Sequence, residues 1–321
     1  MRALVYAGAG DADVIQLREV PTPVPGEGQL LVRVHAAGLN RADILQRKGR
    51  YPAPPGWPAD IPGLEYAGVV EALGPGVTRW RAGDRVMGLV GGGAQAEYVV
   101  VHQDEALAVP AGMELAEAAA IPEAYLTAWD ALVLRGRLAA GERVLIHAVG
   151  SGVGTAAVQL GTWLGATVAG SSRTPAKLEA ARALGLAEAV DSGQLTPTGA
   201  RPAAPFDVII DVFGAPAFAW NTEALAPRGR LVLLGFLQGP RGDLNLEPVL
   251  RKRLEVIGSV MRPRLLAERA PLVARFAAEV VPSLGSRLRP VVGAEFPMTR
   301  VAEAHAAMEG DAVFGKIVLR W

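Results

Sequence analysis

Three glycines in five positions, Gly150, Gly152 and Gly154, are the residues whose spacing points most directly to chemistry. The run 144–147 before them predicts a buried strand, and apolar residues at helical spacing after them predict a helix. A glycine has no β-carbon, so a ligand can approach the backbone closely. The first N–H groups of a helix and the positive end of its dipole also attract an anion. The pattern therefore predicts a cradle for a pyrophosphate.

The end of the next predicted strand carries Ser171, Ser172 and Arg173. A dinucleotide fold that prefers NAD normally has an acidic residue at this point, on the adenosine ribose. Here two hydroxyls and an arginine, followed by Lys177, favour the extra phosphate of NADPH. The alternative is a loop that carries an ordinary solvated arginine.

The elements around this turn alternate between strands and helices from about residue 122, which predicts a parallel, doubly wound sheet. Thr174 as N-cap and Pro175 at the first helical position predict a helix over 175–184. The predicted strands are 143–148, 166–171, 188–191, 207–213, 229–236 and 254–260.

Residues 1–110 instead predict short strands separated by proline and glycine, as in 30–35, where valines alternate with Arg33 and His35. After about 265 the pattern predicts helices over 265–280 and 300–309 and a last strand over 316–319. A terminal strand needs neighbours, and the early β region can supply them. We therefore predict an α/β protein in which a nucleotide domain, 122–265, is inserted into a discontinuous, mostly β domain of residues 1–121 and 266–321.

The composition excludes several classes of function. Among 321 residues, 32 basic and 32 acidic side chains give a formal net charge of zero, so nucleic acid is not expected as the main partner. The chain has no cysteine, which excludes disulfides, thiol catalysis and cysteine-rich zinc sites. Glycines interrupt the uncharged stretch 148–172, so no membrane span is predicted there. The N-terminus runs directly into a strand pattern, which favours the cytoplasm.

Several motifs in the same order as in a known family extend over nearly the whole chain, and together they resemble the zinc-free quinone oxidoreductase branch of the medium-chain dehydrogenase/reductase superfamily. The closest likeness is to the p53-inducible quinone reductase-like group. The residues that carry the resemblance are 38–43, 49–56, 62–68, 83–86, 123–128, 151–154 and 315–318.

The resemblance implies a Rossmann domain inserted into a GroES-like domain, with NADPH in the cleft between them. It places Ser151, Gly152 and Val153 at the pyrophosphate and Ser171, Arg173 and Lys177 at the adenosine phosphate. Ser192 stands where several relatives that bind NADPH have a tyrosine. The remaining cofactor contacts that it implies are Asn40, Thr127, Phe213, Gly235, Phe236, Ser259, Arg262 and Lys316.

The resemblance also assigns the reacting end of the site. Thr127 is expected beside the nicotinamide, Asn40 at its ribose or at the substrate, and Tyr51 in the substrate pocket. Two alternatives stay open: Asn40 as a turn residue that bonds its own backbone, and Tyr51 as a surface aromatic held by prolines.

No metal is expected, because zinc-dependent relatives have a cysteine and a histidine where this chain has Asn40 and Leu64. The four histidines have no ligand spacing and are expected to be structural. The motifs offer no evident pair of carboxylates, so we expect hydride transfer without an obligatory side-chain acid.

The expected reaction is hydride transfer from NADPH to a quinone. The alternative is reduction of the C=C bond of an enal, enone or enoyl thioester. A protein that binds nucleotides or RNA with little turnover is a third, less favoured function. The resemblance also implies a homodimer, formed by pairing of edge strands.

Overall fold

The computed structural model describes residues 1–196 and 198–321, which divide into two compact units. The first unit is Met1–Leu126 with Met261–Trp321, and the second is Thr127–Val260. The segments 122–126 and 261–265, which the sequence predicted to lie in the nucleotide domain, belong to the first unit.

The first unit is mostly β, and its strands and helices are distributed over both of its segments. The strands are β1 Arg2–Tyr6, β2 Ile15–Glu19, β3 Gln29–Leu39, β4 Glu65–Leu73, β5 Arg85–Leu89, β6 Tyr98–His102, β7 Ala106–Ala108, β14 Val292–Pro297 and β15 Lys316–Arg320. The helices are α1 Arg41–Arg47, α2 Leu115–Ala118, α8 Leu266–Glu279 and α9 Val301–Glu309, and α3 Pro122–Trp129 runs on into the second unit.

A seven-stranded sheet in the order β14-β15-β3-β4-β5-β7, with β6 also paired to β3, forms the centre of the first unit. Val32 and Val34 of β3 are buried in the core, and Arg33 and His35 are exposed, as the alternation predicted. The last strand, β15, pairs with β3, so the C-terminal segment completes the sheet that the N-terminal segment begins. The predicted mostly β, discontinuous fold is confirmed.

The second unit is a parallel six-stranded sheet in the order β10-β9-β8-β11-β12-β13, with helices in the connections. Its strands are β8 Arg143–Ile146, β9 Thr167–Ser172, β10 Glu188–Asp191, β11 Phe206–Asp211, β12 Leu225–Leu233 and β13 Glu255–Gly258. Its helices are α4 Gly152–Trp163, α5 Pro175–Arg182, α6 Ala215–Ala224 and α7 Glu247–Lys252, and Asp130–Arg135 is π-helical.

The strand order reverses direction between β8 and β11, which are neighbours in the sheet. Such a reversal opens a crevice at the carboxyl ends of the strands, where ligands of doubly wound sheets bind. The glycine turn leaves β8 at this point, so the fold presents its backbone at the position where a dinucleotide is expected.

The strands of this sheet other than β10 differ from their predicted bounds by one to four residues at an end, and β12 departs furthest because of a local irregularity. The strand β12 begins at Leu225 rather than 229, although Pro227 and Gly229 disfavour a strand. Its pairing with β11 shifts register, and Arg228 has φ 63°. The irregular pairing accommodates Pro227 and Gly229 within the strand. The sequence pattern did not predict this irregularity.

Candidate active site

The glycine turn after β8 joins the strand to α4, which is the strand–turn–helix arrangement that the sequence predicted. Ser151 is the N-cap of α4, and its hydroxyl accepts a hydrogen bond from the Gly154 N–H at 3.0 Å. Gly152 and Val153 occupy the first two helical positions, where an N–H group has no intrahelical acceptor. A β-carbon on Gly154 would lie 2.3 Å from the Ala148 carbonyl oxygen, so only glycine permits this close packing.

Lys177 of α5 packs against the same turn. A β-carbon on Gly150 would lie 2.5 Å from Lys177 Cδ, so the aliphatic part of the lysine covers this glycine. Gly150 has no positive φ; the left-handed residue of the turn is Ala148, with φ 52°. Gly150 is therefore needed to admit the Lys177 side chain.

The two serines at the end of β9 point inward. Ser171 Oγ lies 2.8 Å from His147 Nδ1, and Asn221 Oδ1 lies 2.8 Å from His147 Nε2. Ser171 is fully buried, so its hydroxyl is not presented to solvent, contrary to its assignment at the adenosine phosphate. The Ser172 hydroxyl accepts a hydrogen bond from the Thr174 N–H at 3.0 Å. Both serines therefore stabilise the strand end itself.

His147 has the structural role that the sequence predicted. Its ring is buried and lies 5.0 Å from that of Phe213, and burial lowers its pKa to about 4. The imidazole is therefore neutral near pH 7, and it joins β8, β9 and α6.

The cationic part of the cluster remains at the surface. Arg173 is exposed and Lys177 is partly buried, both just beyond β9. The neighbouring strand β10 ends in Asp191, which is opposite Ser172 in register and accepts a hydrogen bond from the Gly193 N–H at 2.9 Å. Sequence reasoning missed this acidic neighbour because it lies on a different strand. Ser192 is buried, and its hydroxyl has no hydrogen-bond partner among the described residues.

Other predicted cofactor contacts follow the carboxyl ends of β11, β12 and β13. The Phe213 and Gly214 N–H groups donate to the buried Asp211 carboxyl, whose pKa burial raises to about 6. Phe236 is 55% exposed, and its ring approaches Gly214 so closely that a β-carbon there would lie 2.8 Å from Phe236 Cδ1. The remaining two residues at these strand ends are Gly235 and Ser259, whose hydroxyl donates to Asp130 at 2.6 Å.

In the first unit, Asn40 and Lys316 meet around Glu65. Asn40 Nδ2 donates to Glu65 Oε1 at 2.9 Å, and Lys316 Nζ donates to Asn40 Oδ1 at 2.7 Å and also to Glu65 Oε1. Lys316 and Glu65 are both buried, so they form a buried ion pair. Asn40 is also the N-cap of α1 and lies in extended backbone conformation. The side-chain amide of Asn40 therefore bonds residues beyond its own turn.

Three adjacent strands produce this junction. Lys316 begins β15, Asn40 follows β3, and Glu65 begins β4. In register, Gly38 of β3 lies opposite Glu65. A β-carbon on Gly38 would lie 2.2 Å from Glu65 Oε1. Only a glycine at this position of β3 therefore leaves room for the Glu65 carboxylate.

Glu123 adds a second carboxyl group beside Glu65. The Glu123 N–H donates to Glu65 Oε2 at 2.8 Å, and Glu123 Oε2 is buried without a hydrogen-bond partner among the described residues. Burial, and then the charge of Glu65, raise the pKa of Glu123 to about 7. The prediction that the motifs contain no pair of carboxylates is wrong, because 58 residues separate two glutamates that the fold brings together.

Arg262 holds Tyr51 in place. Its guanidinium group donates to the carbonyl oxygens of Gly91 (2.8 Å) and Tyr51 (3.1 Å) and to Gln46 Oε1 (2.5 Å). Its Cζ atom lies 5.1 Å from the centre of the Tyr51 ring. Arg262 is buried, so these contacts anchor Tyr51 rather than present a cation to the cofactor for which it was predicted. The alternative of a surface aromatic held by prolines is therefore incomplete, because Arg262 also contacts Tyr51.

Two hydroxyls lack partners among the described residues. Thr127 Oγ1 is buried in α3. Tyr66 lies fully within the core of the first unit, and its unpartnered hydroxyl is close to Gly88.

Among residues 1–196 and 198–321, no group of three histidine, cysteine, aspartate or glutamate side chains is arranged to hold a metal ion. Within the same part of the chain, no helix combines the length and the apolar character that crossing a membrane requires.

Comparison with known proteins places this geometry in a family. Residues 26–111 match the model of the alcohol dehydrogenase GroES-like domain, and residues 152–279 match that of the zinc-binding dehydrogenases. The human synaptic vesicle membrane protein VAT-1 homolog is 33% identical over 99% of this chain and 86% of its own length.

Two solved structures extend the likeness over the whole fold. The quinone oxidoreductase of Thermus thermophilus, also solved as its NADPH complex, is 33% identical with a TM-score of 0.85, and each chain is covered completely. The CurK enoyl reductase is 26% identical with a TM-score of 0.85 over 99% of this chain and 98% of that one. With the two sheets described above, these matches show that the chain belongs to the medium-chain dehydrogenase/reductase superfamily, among the quinone oxidoreductases and their relatives.

Proposed function

We propose that this oxidoreductase uses NADPH to reduce quinones and needs no zinc. The observation that carries the proposal is the contact of Lys177 with Gly150, which brings a cationic side chain onto the N-terminal turn of α4. Gly152 and Val153 offer N–H groups without intrahelical acceptors, and Gly154 leaves no room for a β-carbon. A pyrophosphate fits this turn, and the bound dinucleotide would supply the hydride.

The preference for NADPH over NADH rests on Arg173 and Lys177, since Ser171 and Ser172 are engaged inside the protein. A charge-assisted contact with the adenosine phosphate is worth roughly 1.5–3 kcal/mol, or about 10-fold to over 100-fold in affinity. Asp191 lies beside this position and opposes a phosphate, which reduces the preference.

Arg173→Ala should therefore lower kcat/KM for NADPH by at least about 10-fold and leave that for NADH nearly unchanged. Arg182→Ala, at an exposed arginine at the far end of α5, is the matched control and should change neither value. Asp191→Asn should raise the preference for NADPH. Equal kcat/KM for the two cofactors in the unmodified protein would contradict the proposal.

The acceptor is proposed from the site of the first unit together with the family. Tyr51 offers an aromatic face held by Arg262, which suits stacking with a flat quinone ring. The solved relatives include both a quinone oxidoreductase and an enoyl reductase, so C=C reduction is the second candidate. Steady-state kcat/KM for a benzoquinone and for a short enone, measured side by side, decides between the two. We expect the quinone to be the better substrate.

Independence from zinc is proposed from the donor set. Asn40 and Leu64 occupy the two positions that the resemblance assigns to zinc ligands, and the ammonium group of Lys316 already bonds Asn40 and Glu65. A leucine cannot donate to a metal, and a neighbouring cation repels one. Elemental analysis should find well under one zinc per chain, and a chelator should leave turnover unchanged. Stoichiometric zinc that is lost together with activity would contradict this part of the proposal.

A homodimer is proposed through β13, which lies at one end of the six-stranded sheet. Val256 on this strand is 42% exposed, and Leu250 on the preceding helix is 82% exposed. An exposed apolar edge strand favours pairing with a second copy. Val256→Lys should convert a dimer to a monomer in light scattering, and Leu73→Lys, at an exposed leucine of the first unit, should not.

The proposed location is the cytoplasm. Fractionation of the source cells, with the protein followed by an antibody, tests it. Recovery in a membrane fraction that survives a salt wash would contradict it.

A further inference from the structure

The junction of β15, β3 and β4 buries more acidic than basic side chains. The carboxyl groups of Asp43, Glu65 and Glu123 interact electrostatically with two cations, Lys316 and Arg262. If all five were ionised, one negative charge would remain without compensation in a buried environment. Such a charge is costly, and proteins usually remove it by protonation.

The hydrogen bonds show which carboxyl group lacks a cation. Lys316 bonds Glu65, and the guanidinium group of Arg262 donates to two carbonyl oxygens and to the amide oxygen of Gln46. Asp43 accepts the N–H groups of Asn40 at 2.8 Å and Gly63 at 3.1 Å, which favour its charged form. Glu123 Oε2 has neither a cation nor a hydrogen-bond donor among the described residues.

Asp43 and Glu123 also differ in access. Asp43 is fully buried, whereas Glu123 is partly exposed. Glu123 also lies close enough to Tyr51 that its charge contributes, after burial, to the raised pKa of the tyrosine hydroxyl. Glu123 is therefore near Tyr51, the residue at which we place the acceptor.

We propose that Glu123 carries a proton at neutral pH and donates it to the acceptor once the acceptor has received the hydride, an inference that rests on the proposed function. The Oε–H bond of Glu123 breaks, and a new O–H bond forms on the acceptor oxygen. The Glu123 carboxylate then recovers a proton from water, so that one hydride and one proton are consumed in each turnover. A pKa of about 7 suits an acid that must give up and regain a proton near neutrality.

The protonation of Glu123 can be tested without cofactor or acceptor. Infrared difference spectra of the free protein, unmodified minus Glu123→Gln, should show the C=O stretch of a protonated carboxylic acid, titrating near pH 7. Glu117→Gln, which removes an exposed glutamate of α2, is the matched control and should leave that band intact. No band in the difference spectrum at about pH 6, below that pKa, would overturn the inference.

Donation of the proton is tested by turnover. In the unmodified enzyme, kcat should fall as the pH rises through about 7. Glu123→Gln should lower kcat by about 100-fold and remove that pH dependence. Glu123→Asp keeps the acid on a shorter side chain, so it should retain both the infrared band and the pH dependence at a reduced rate.

The two proposals fail in different ways. If the unmodified protein reduces neither quinone nor enone with NADPH, the proposed function is wrong, and the infrared band still decides the protonation. If it turns over but Glu123→Gln has the same kcat and pH profile, donation by Glu123 is wrong and the proposed function stands.

Discussion

The buried cluster around His147 in the second unit and the junction around Asn40 in the first unit are built from different kinds of polar group. In the second unit, the buried cluster His147, Ser171 and Asn221 is joined by hydrogen bonds between neutral groups, and the glycine turn beside it leaves backbone N–H groups without intrahelical acceptors. In the first unit, the junction around Asn40 contains the ion pair Lys316–Glu65 and the carboxyl group of Glu123. The glycine turn of the second unit thus offers fixed backbone dipoles, whereas the junction of the first unit holds titratable charge.

The largest expected effect comes from removing the cation of the charged junction. Lys316→Met leaves the buried Glu65 without its ion pair, so the free energy of unfolding should fall by about 3–5 kcal/mol, as denaturant titration can measure. The double variant Lys316→Met with Glu65→Gln removes both charges and should recover much of the loss. Additive losses in the double variant would show that the two residues are not coupled.

The neutral cluster should respond to acid. The pKa of His147 is about 4 in the folded protein and about 6.5 in the unfolded chain, so the unfolded chain binds the proton more tightly. Stability from this residue is therefore present above about pH 6.5 and is lost as the pH falls toward 4, by about 3 kcal/mol.

His147→Gln cannot take up that proton. The unfolding free energy of this variant, measured between pH 6.5 and 4, should fall less steeply than that of the unmodified protein. His102→Gln, at a partly exposed histidine of the first unit, is the matched control and should keep the slope. An unchanged slope in His147→Gln would mean that the ring is already protonated in the folded state.

The charged junction should respond to base. The pKa of Glu123 is about 7 in the folded protein, above its ordinary value of 4.5, so the folded state binds the proton more tightly. Stability from this residue is present below pH 4.5 and is lost as the pH rises through about 7. Since Glu123 is partly exposed, we expect a loss of about 2 kcal/mol rather than the full value of the shift.

Glu123→Gln should abolish this alkaline loss, so that the variant gains on the unmodified protein between about pH 5 and 8. Thermal unfolding at a series of pH values measures the difference. A parallel pair of stability curves would indicate that Glu123 is ionised throughout.

The smallest effect is expected in the glycine turn of the second unit. Ala148 has φ 52°, a left-handed conformation that costs an alanine about 1–2 kcal/mol. Glycine removes this strain but loses about 0.5–1 kcal/mol of chain entropy, so Ala148→Gly should raise stability by about 0.5 kcal/mol. The control Ala156→Gly, inside α4, should lower stability. A loss in both variants would mean that the turn is not strained.

The sequence alone determined the parts of this protein that depend on local pattern. Strand and helix periodicity predicted the doubly wound sheet, and β10 was predicted to the residue. Three close glycines predicted the tight turn between β8 and α4, because the absence of a β-carbon is a property of the residue itself. The order of the motifs indicated the family.

Only the tertiary structure decided which partner each polar side chain takes. Sequence placed Ser171 at a phosphate, but packing of β9 against β8 turns it to His147. Glu65 and Glu123 meet across 58 residues, and Arg262 reaches Tyr51 across 211. A buried group must find its hydrogen bonds among whatever the fold brings near, so its partner and its pKa depend on contacts that spacing along the chain does not encode.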